Sequence, residues 1–156
     1  MAAPNFTAMN WTTISPCDLS QILNKNQLDL LKAESLRNGD ASMPEKAIDL
    51  AVSRVRAEIA ASGLNMLDEN YSKIPPELRE CAMRLAAAIL QTRIPTMEFT
   101  ASQKKALENC LDLLKRVSDG LVPVTRPRNA VRTARKYSIS FGGQKRRLSR
   151  SSTEGF

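Results

Sequence analysis

The chain contains no histidine. That absence removes the side chain most used to move protons near neutral pH, and with it the commonest nitrogen ligand for zinc. Cysteine is scarce: Cys17, Cys81 and Cys110 are odd in number, widely spaced and without a Cys-x-x-Cys pair. This excludes a disulfide framework and the usual zinc sites, and it fits a reducing compartment. The six glycines, Gly39, Gly63, Gly120, Gly142, Gly143 and Gly155, form no phosphate-cradling loop. The longest unbroken apolar run, Leu85 to Leu90, is six residues, where a membrane-spanning helix needs about twenty. No membrane crossing is expected. Met1-Ala2-Ala3-Pro4-Asn5 lacks the basic start and apolar core of a signal peptide, so the expected compartment is the cytosol.

What remains is a chain of 156 residues, 42% apolar and 25% charged, the size and composition of about one soluble domain. Its charge is placed unevenly. Residues 1–122 hold 14 basic and 15 acidic side chains, whereas residues 123–156 hold 9 and 1. The whole net charge of +7 therefore belongs to the C-terminal segment. This divides the chain into a near-neutral domain, 1–122, and a basic tail, 123–156.

The domain reads as helical throughout. Ser15-Pro16-Cys17-Asp18 has the order of a helix start, with Ser15 as the cap, and the short helix runs to about Leu23. A second short turn from Asn26 buries Leu28, Leu31 and Leu36 before Asn38-Gly39-Asp40 stops it. Ser42 then caps a longer helix that ends at Gly63, with Ile48, Val52, Val55 and Ile59 on one face. Asp68 to Ile74 is a polar connection, and Pro75-Pro76 sets the start of a helix over Glu77–Arg93. Leu78, Cys81, Ala82, Leu85 and Ile89 form its stripe, and Ala86-Ala87-Ala88 lets a neighbour approach closely, so this helix is expected to be the most buried. Thr100 and Gln103 have capping-box spacing ahead of a last helix carrying Leu107, Cys110, Leu111, Leu114 and Val117 to Gly120. No strand pattern appears before residue 122. The fold class expected is all-α, a small helical bundle with an extended basic C-terminal tail.

No residue set in the domain has the pattern of a catalytic site. The carboxylates fall on polar faces or in loops, where solvation explains them. Cys81 and Cys110 lie on apolar stripes, where cysteine behaves as a small core residue. Cys17, in a first helical turn, has no histidine to activate it. No cofactor, metal or catalytic residue is expected, and the chain does not read as an enzyme. Arg146-Arg147-Leu148-Ser149 has the look of a basic-directed phosphorylation sequence, a pattern that arises readily in Arg/Ser-rich tails.

The tail holds one strand-like stretch, Tyr137-Ser138-Ile139-Ser140-Phe141, followed by Gly142-Gly143. Few other large apolar groups accompany it. Ordering the tail costs about 1–2 kcal/mol per residue in backbone entropy, so it is expected to order on a partner if at all. Tyr137, Ile139 and Phe141 are the expected partner-binding residues, by strand addition or pocket filling. The cations Arg126, Arg128, Arg132, Arg135, Lys136, Lys145, Arg146, Arg147 and Arg150 supply either a grip on an acidic protein surface or, in the rival reading, phosphate contacts of a DNA- or RNA-binding module. Against that rival, the tail has few aromatic groups for base stacking, and the domain has no helix rich in Arg, Asn and Gln.

From Thr12 to Val124 the chain resembles the small helical head-tail connector proteins of tailed bacteriophages and prophages, also called adaptor or head-completion proteins. The resemblance rests on Ile74-Pro75-Pro76-Glu77-Leu78-Arg79 continuing as an Ala-rich helix to Leu90 and Arg93, and on the closing Leu114-Lys115-Arg116-Val117-Ser118-Asp119-Gly120-Leu121-Val122. Ala47-Ile48 through Ile59 looks like the family's first long helix, and Ile14-Ser15-Pro16 through Leu23 like its opening capped turn. Leu107 stands where family members often carry tyrosine, and the tail after Pro123 is longer than the family pattern requires. The resemblance implies a structural protein of the virion neck, assembled in the host cytoplasm. It implies a homo-oligomeric ring, typically twelve-fold, that sits on the portal protein, holds another neck or tail-completion protein, and lets packaged DNA pass through its lumen.

Overall fold

The computed structural model describes residues 9–131, and over them the protein is mostly helical. Its helices are α1 (Lys25–Arg37), α2 (Met43–Ala61), α3 (Arg79–Arg93) and α4 (Ala101–Ser118), with 3-10 turns at Pro16–Gln21 and Pro76–Leu78. A two-residue strand β1 (Leu67–Asp68) pairs antiparallel with β2 (Ala130–Val131). The described residues are mostly helical, which is consistent with the all-α class expected from periodicity.

α2 packs most extensively on α3, and α4 closes against both. The stripe Ile48, Val52, Val55 and Ile59 is buried as its spacing requires. It shares one core cluster with Ala82, Leu85, Ala86 and Ala87 of α3, and Leu114 and Val117 of α4 complete that core. The alanines of α3 have no exposed surface at 82, 86 and 87, consistent with a helix slim enough to lie between neighbours. Ile89 and Leu107 are half-buried against this core, and Leu111 lies at its rim.

Local starts and stops depart from expectation in instructive ways. α1 begins earlier than Asn26: Asn24 is its cap, accepting from the Gln27 N–H at 2.9 Å, while Gln27 Oε1 accepts from the Asn24 N–H. Leu36, expected inside, is 83% exposed, because the last turn of α1 carries it to the side away from Leu31. Ser42 holds the N-cap position of α2, but its side chain makes no cap bond; its hydroxyl donates to Asp40 Oδ1 at 2.7 Å, and Lys46 bonds the same carboxylate. At Ser15 the roles are reversed. Its N–H and hydroxyl both donate to Asp18 Oδ2, and Arg79 grips the other oxygen at 2.8 Å, fastening the first turn to the start of α3. The Ser15 N–H holds the Asp18 pKa below the usual carboxylate value, with help from Arg79. The Thr100–Gln103 box forms as its spacing predicts.

The capping glutamines of α1 and α4 also find each other. Gln27 donates to Glu98 O at 2.7 Å and Gln103 donates to Ile22 O at 3.0 Å, with the two amides in mutual contact. Each side chain thus closes its own helix start and satisfies a carbonyl of another segment, which accounts for burying Gln27 to 3% exposure.

One expectation about segments needs correction. Strand structure occurs before residue 122, since β1 overlaps the start of the segment read as a connection at Asp68, and Thr12 bridges Ile74 through paired bonds of 2.9 Å. Two-residue pairings carry no readable alternation, so periodicity has nothing to detect. The chain beyond Val122, grouped by charge with the tail, is held by bonds to Met9, Trp11, Asn65 and Glu69 and by its pairing with β1 as far as Val131. Trp11 Nε1 donates to Thr125 O at 2.9 Å, Met9 N to Arg126 O at 3.2 Å and Glu69 N to Asn129 O at 3.0 Å, and Pro127 is fully buried. Positive charge marks what the segment carries, not where its packing ends. Because bonds and burial here oppose the entropy of ordering the segment, a chain ending at Val131 should match the full chain to within about 0.5 kcal/mol, while one ending at Val122 should lose about 1–2 kcal/mol of unfolding free energy. Urea titrations of both would check this; equal stability of the two would show that 123–131 contributes nothing.

Candidate functional site

The polar centre of the molecule is Arg56, a residue the apolar stripe hides. It stands four positions after Val52 and three before Ile59, on the buried face of α2, and is 7% exposed. A buried guanidinium needs its donors used. Here they go to main-chain carbonyls: one terminal nitrogen donates to Asn70 O at 3.0 Å and Lys73 O at 2.7 Å, and the other donates to Asp68 O at 2.7 Å. The guanidinium also lies 5.8 Å from the Trp11 ring centre and 5.5 Å from that of Tyr71, within cation–π range. Burial lowers its pKa below the ordinary guanidinium value, against the pull of nearby Asp68.

Arg56 therefore folds residues 67–74 onto α2. Asp68 is the exception to the rule that the domain's carboxylates are solvated: it is 4% exposed, with Oδ1 accepting from the Asn70 N–H at 2.8 Å. Beside this clasp runs an open groove of about 290 Å³ lined by Ser53, Arg56, Ala57, Ala60, Leu67 and Tyr71. Its floor is small and apolar, and Tyr71 stands at its edge 85% exposed. Periodicity did present a signal for Arg56, since the stripe 48, 52, 55, 59 also passes through 56, but polarity argues against burial unless the partner carbonyls are known.

The thiols are placed as packing groups. Cys81 and Cys110 are buried side by side between α3 and α4, and burial with a hydrogen bond to Cys110 pushes the Cys81 pKa up to about 12, which opposes thiolate formation. Cys17 is exposed. Among the described residues no group of three His, Cys, Asp or Glu side chains is placed to hold a metal ion, and no helix is long and apolar enough to cross a membrane.

Of the sequence-derived partner-binding residues, Arg126 and Arg128 are described. Both are exposed, on either side of buried Pro127, with the main chain fixed beneath them. Tyr137, Ile139, Phe141, Arg132, Arg135, Lys136, Lys145, Arg146, Arg147 and Arg150 lie outside the described residues. Compared with protein-family models, curated proteins and solved structures, the chain matches none.

The surface has one further feature that patterning passed over. Leu64 and Leu121, each just past the end of a helix, are 68% and 70% exposed, and Val131 is half exposed at the end of β2. Single exposed leucines are ordinary.

Proposed function

We propose that the chain is a structural protein of the phage neck, forming a homo-oligomeric ring between the portal and the next neck or tail-completion component, with the packaged DNA passing through its lumen. The observation that carries this reading is the fastening of residues 123–131 to the rest of the described domain through hydrogen bonds with Met9, Trp11, Asn65 and Glu69. A basic segment that begins from a fixed point, on a body with a well-packed helical core, suits a subunit that holds neighbours in register. The sequence resemblance from Thr12 to Val124 supplies the identity of those neighbours. Tyr137, Ile139 and Phe141 serve as apolar anchors on the portal or an adjacent subunit, and the nine cations steer and align the contact.

The test is assembly. Full-length protein mixed with portal protein should give rings in electron micrographs and a co-migrating complex in native mass measurements. Replacing Tyr137, Ile139 and Phe141 with Ser should abolish that complex while all nine cations remain. Changing the nine cations to Gln should slow its formation and leave the complex able to form. A DNA-binding module would instead show a slope of log affinity against log salt near −8, about 0.9 for each of nine cations, with the Ser variant unaffected. That result, together with an absence of rings, would overturn the connector reading.

A further inference from the structure

Trp11, Thr12, Thr13, Lys73, Pro76 and Arg79 line an open depression of about 580 Å³. Two chain segments build it and a third braces them. Thr12 and Ile74 exchange main-chain bonds of 2.9 Å in both directions, which sets the stretch around Thr12 beside Lys73. Lys73 is held from both sides of its main chain: its N–H donates to Asn70 O at 3.2 Å, and its carbonyl accepts from Arg56 at 2.7 Å. Trp11 Nε1 donates to Thr125 O at 2.9 Å and Thr125 N donates to Glu77 Oε1 at 2.6 Å, so residue 125 ties the two segments together.

Hydrogen-bonding capacity at this place is one-sided. The nearby acceptors are engaged: Asp18 Oδ2 takes the N–H and hydroxyl of Ser15, Asp18 Oδ1 takes Arg79 at 2.8 Å, and Glu77 Oε1 takes Thr125 N. The donors are in surplus. A guanidinium carries several N–H groups in a planar fork, and among the described residues that of Arg79 is ion-paired with Asp18 through one nitrogen. Lys73 makes no ion pair among those residues. Three buried side-chain polar atoms there are without a partner, and two of them, Thr12 Oγ1 and Arg79 Nε, belong to residues lining this depression. Buried polar groups are nearly always bonded. A place with donors to spare and its own acceptors occupied is suited to an acceptor from outside, and most of all to a charged one.

We propose that this depression docks a single carboxylate, the side chain of an aspartate or glutamate on a partner protein, between Lys73 and Arg79. A nucleic-acid backbone fits less well. Its phosphates come in series, and Asp18, Glu77 and Glu80 would repel those beyond the first, while Trp11, 3% exposed, offers no face on which a base could stack. A protein segment brings one charge flanked by apolar groups, which suits walls that include Trp11 and Pro76. Arg56 acts here as a positioning residue, because its bond to the Lys73 carbonyl fixes the main chain from which that lysine projects. The site is independent of the connector reading, which places its contacts on residues 126–150.

The experiment titrates the isotopically labelled full chain with acetyl-Ala-Ala-Glu-Ala-Ala-amide and follows the main-chain amides by NMR. Saturable shifts are expected at Thr12, Thr13, Lys73 and Arg79, and none there with the same peptide carrying Gln in place of Glu. Lys73→Gln should weaken binding of the Glu peptide about tenfold, as loss of one charge-assisted hydrogen bond predicts, and Lys105→Gln on α4 should leave it unchanged. Equal shifts with both peptides, shifts centred elsewhere, no shift, or a Lys73→Gln chain that binds as before would each overturn the proposal. So would tighter binding at these residues by inorganic phosphate or a DNA duplex than by the Glu peptide. The two peptides are compared on the unaltered chain, so the test stands even if Lys73→Gln disturbs the fold. Neither portal protein nor assembly enters this readout, and failure here and failure of the connector reading are separate results.

Discussion

Leu85→Ala should lower the unfolding free energy by about 2–5 kcal/mol, from lost transfer energy and the cavity left behind. Leu85 is 4% exposed on α3, the helix enclosed by α2 and α4, and its alanine neighbours Ala82, Ala86 and Ala87 are too small to expand into the space. Leu36→Ala provides the contrast. That leucine is 83% exposed, so its loss should change stability by no more than about 0.5 kcal/mol. Denaturant unfolding of both variants, with the slope monitored to confirm that the unfolded states are comparable, checks the pair. A cost below about 1 kcal/mol for Leu85→Ala would mean that α3 does not occupy the core in solution.

Arg56→Ala should cost about 3 kcal/mol, by a different mechanism. Its loss leaves the carbonyls of Asp68, Asn70 and Lys73 without their donor, and Asp68 O, in the most buried of the three bonds, has the least access to water as a substitute. The packing of the arginine against Trp11 and Tyr71 is lost as well. Arg56→Lys distinguishes charge from geometry. An ammonium retains the charge but cannot fork to three carbonyls, so it should recover less than half of the loss. Hydrogen exchange should quicken across residues 67–74 in both variants, with the centre of α3 following only the global stability. Unchanged exchange in that segment would show that Arg56 does not hold it.

These two residues mark the boundary between what pattern reveals and what it conceals. Leu85 belongs to a stripe at helical spacing, and burial of that stripe follows from periodicity alone. Arg56 occupies the same kind of position on α2, yet its burial depends on three carbonyls contributed by residues 12 to 17 positions away. Whether a polar side chain on an apolar face is tolerated depends on partners brought by tertiary folding. Gln27 and Gln103 illustrate the same limit. Each capping box is a local pattern, legible from spacing, but their mutual contact joins positions 76 apart. Asp18 was legible as a charge at a helix start and not as the link to Arg79.

The sequence by itself determined the helical class, the breaks at Gly39, Gly63, Pro75-Pro76 and Gly120, the stripes of α2 and α3, and the unequal division of charge. These are local or periodic properties, set by side-chain spacing and backbone preference. Only the tertiary structure decided that β1 pairs with β2, that residues 123–131 are bonded to the body, that Arg56 and Asp68 are buried, and that Leu64 lies against the turn at Gly120. Each of those contacts joins segments distant in sequence, and what selects them is mutual satisfaction of buried polar groups and apolar surface in the assembled fold, which no single segment encodes.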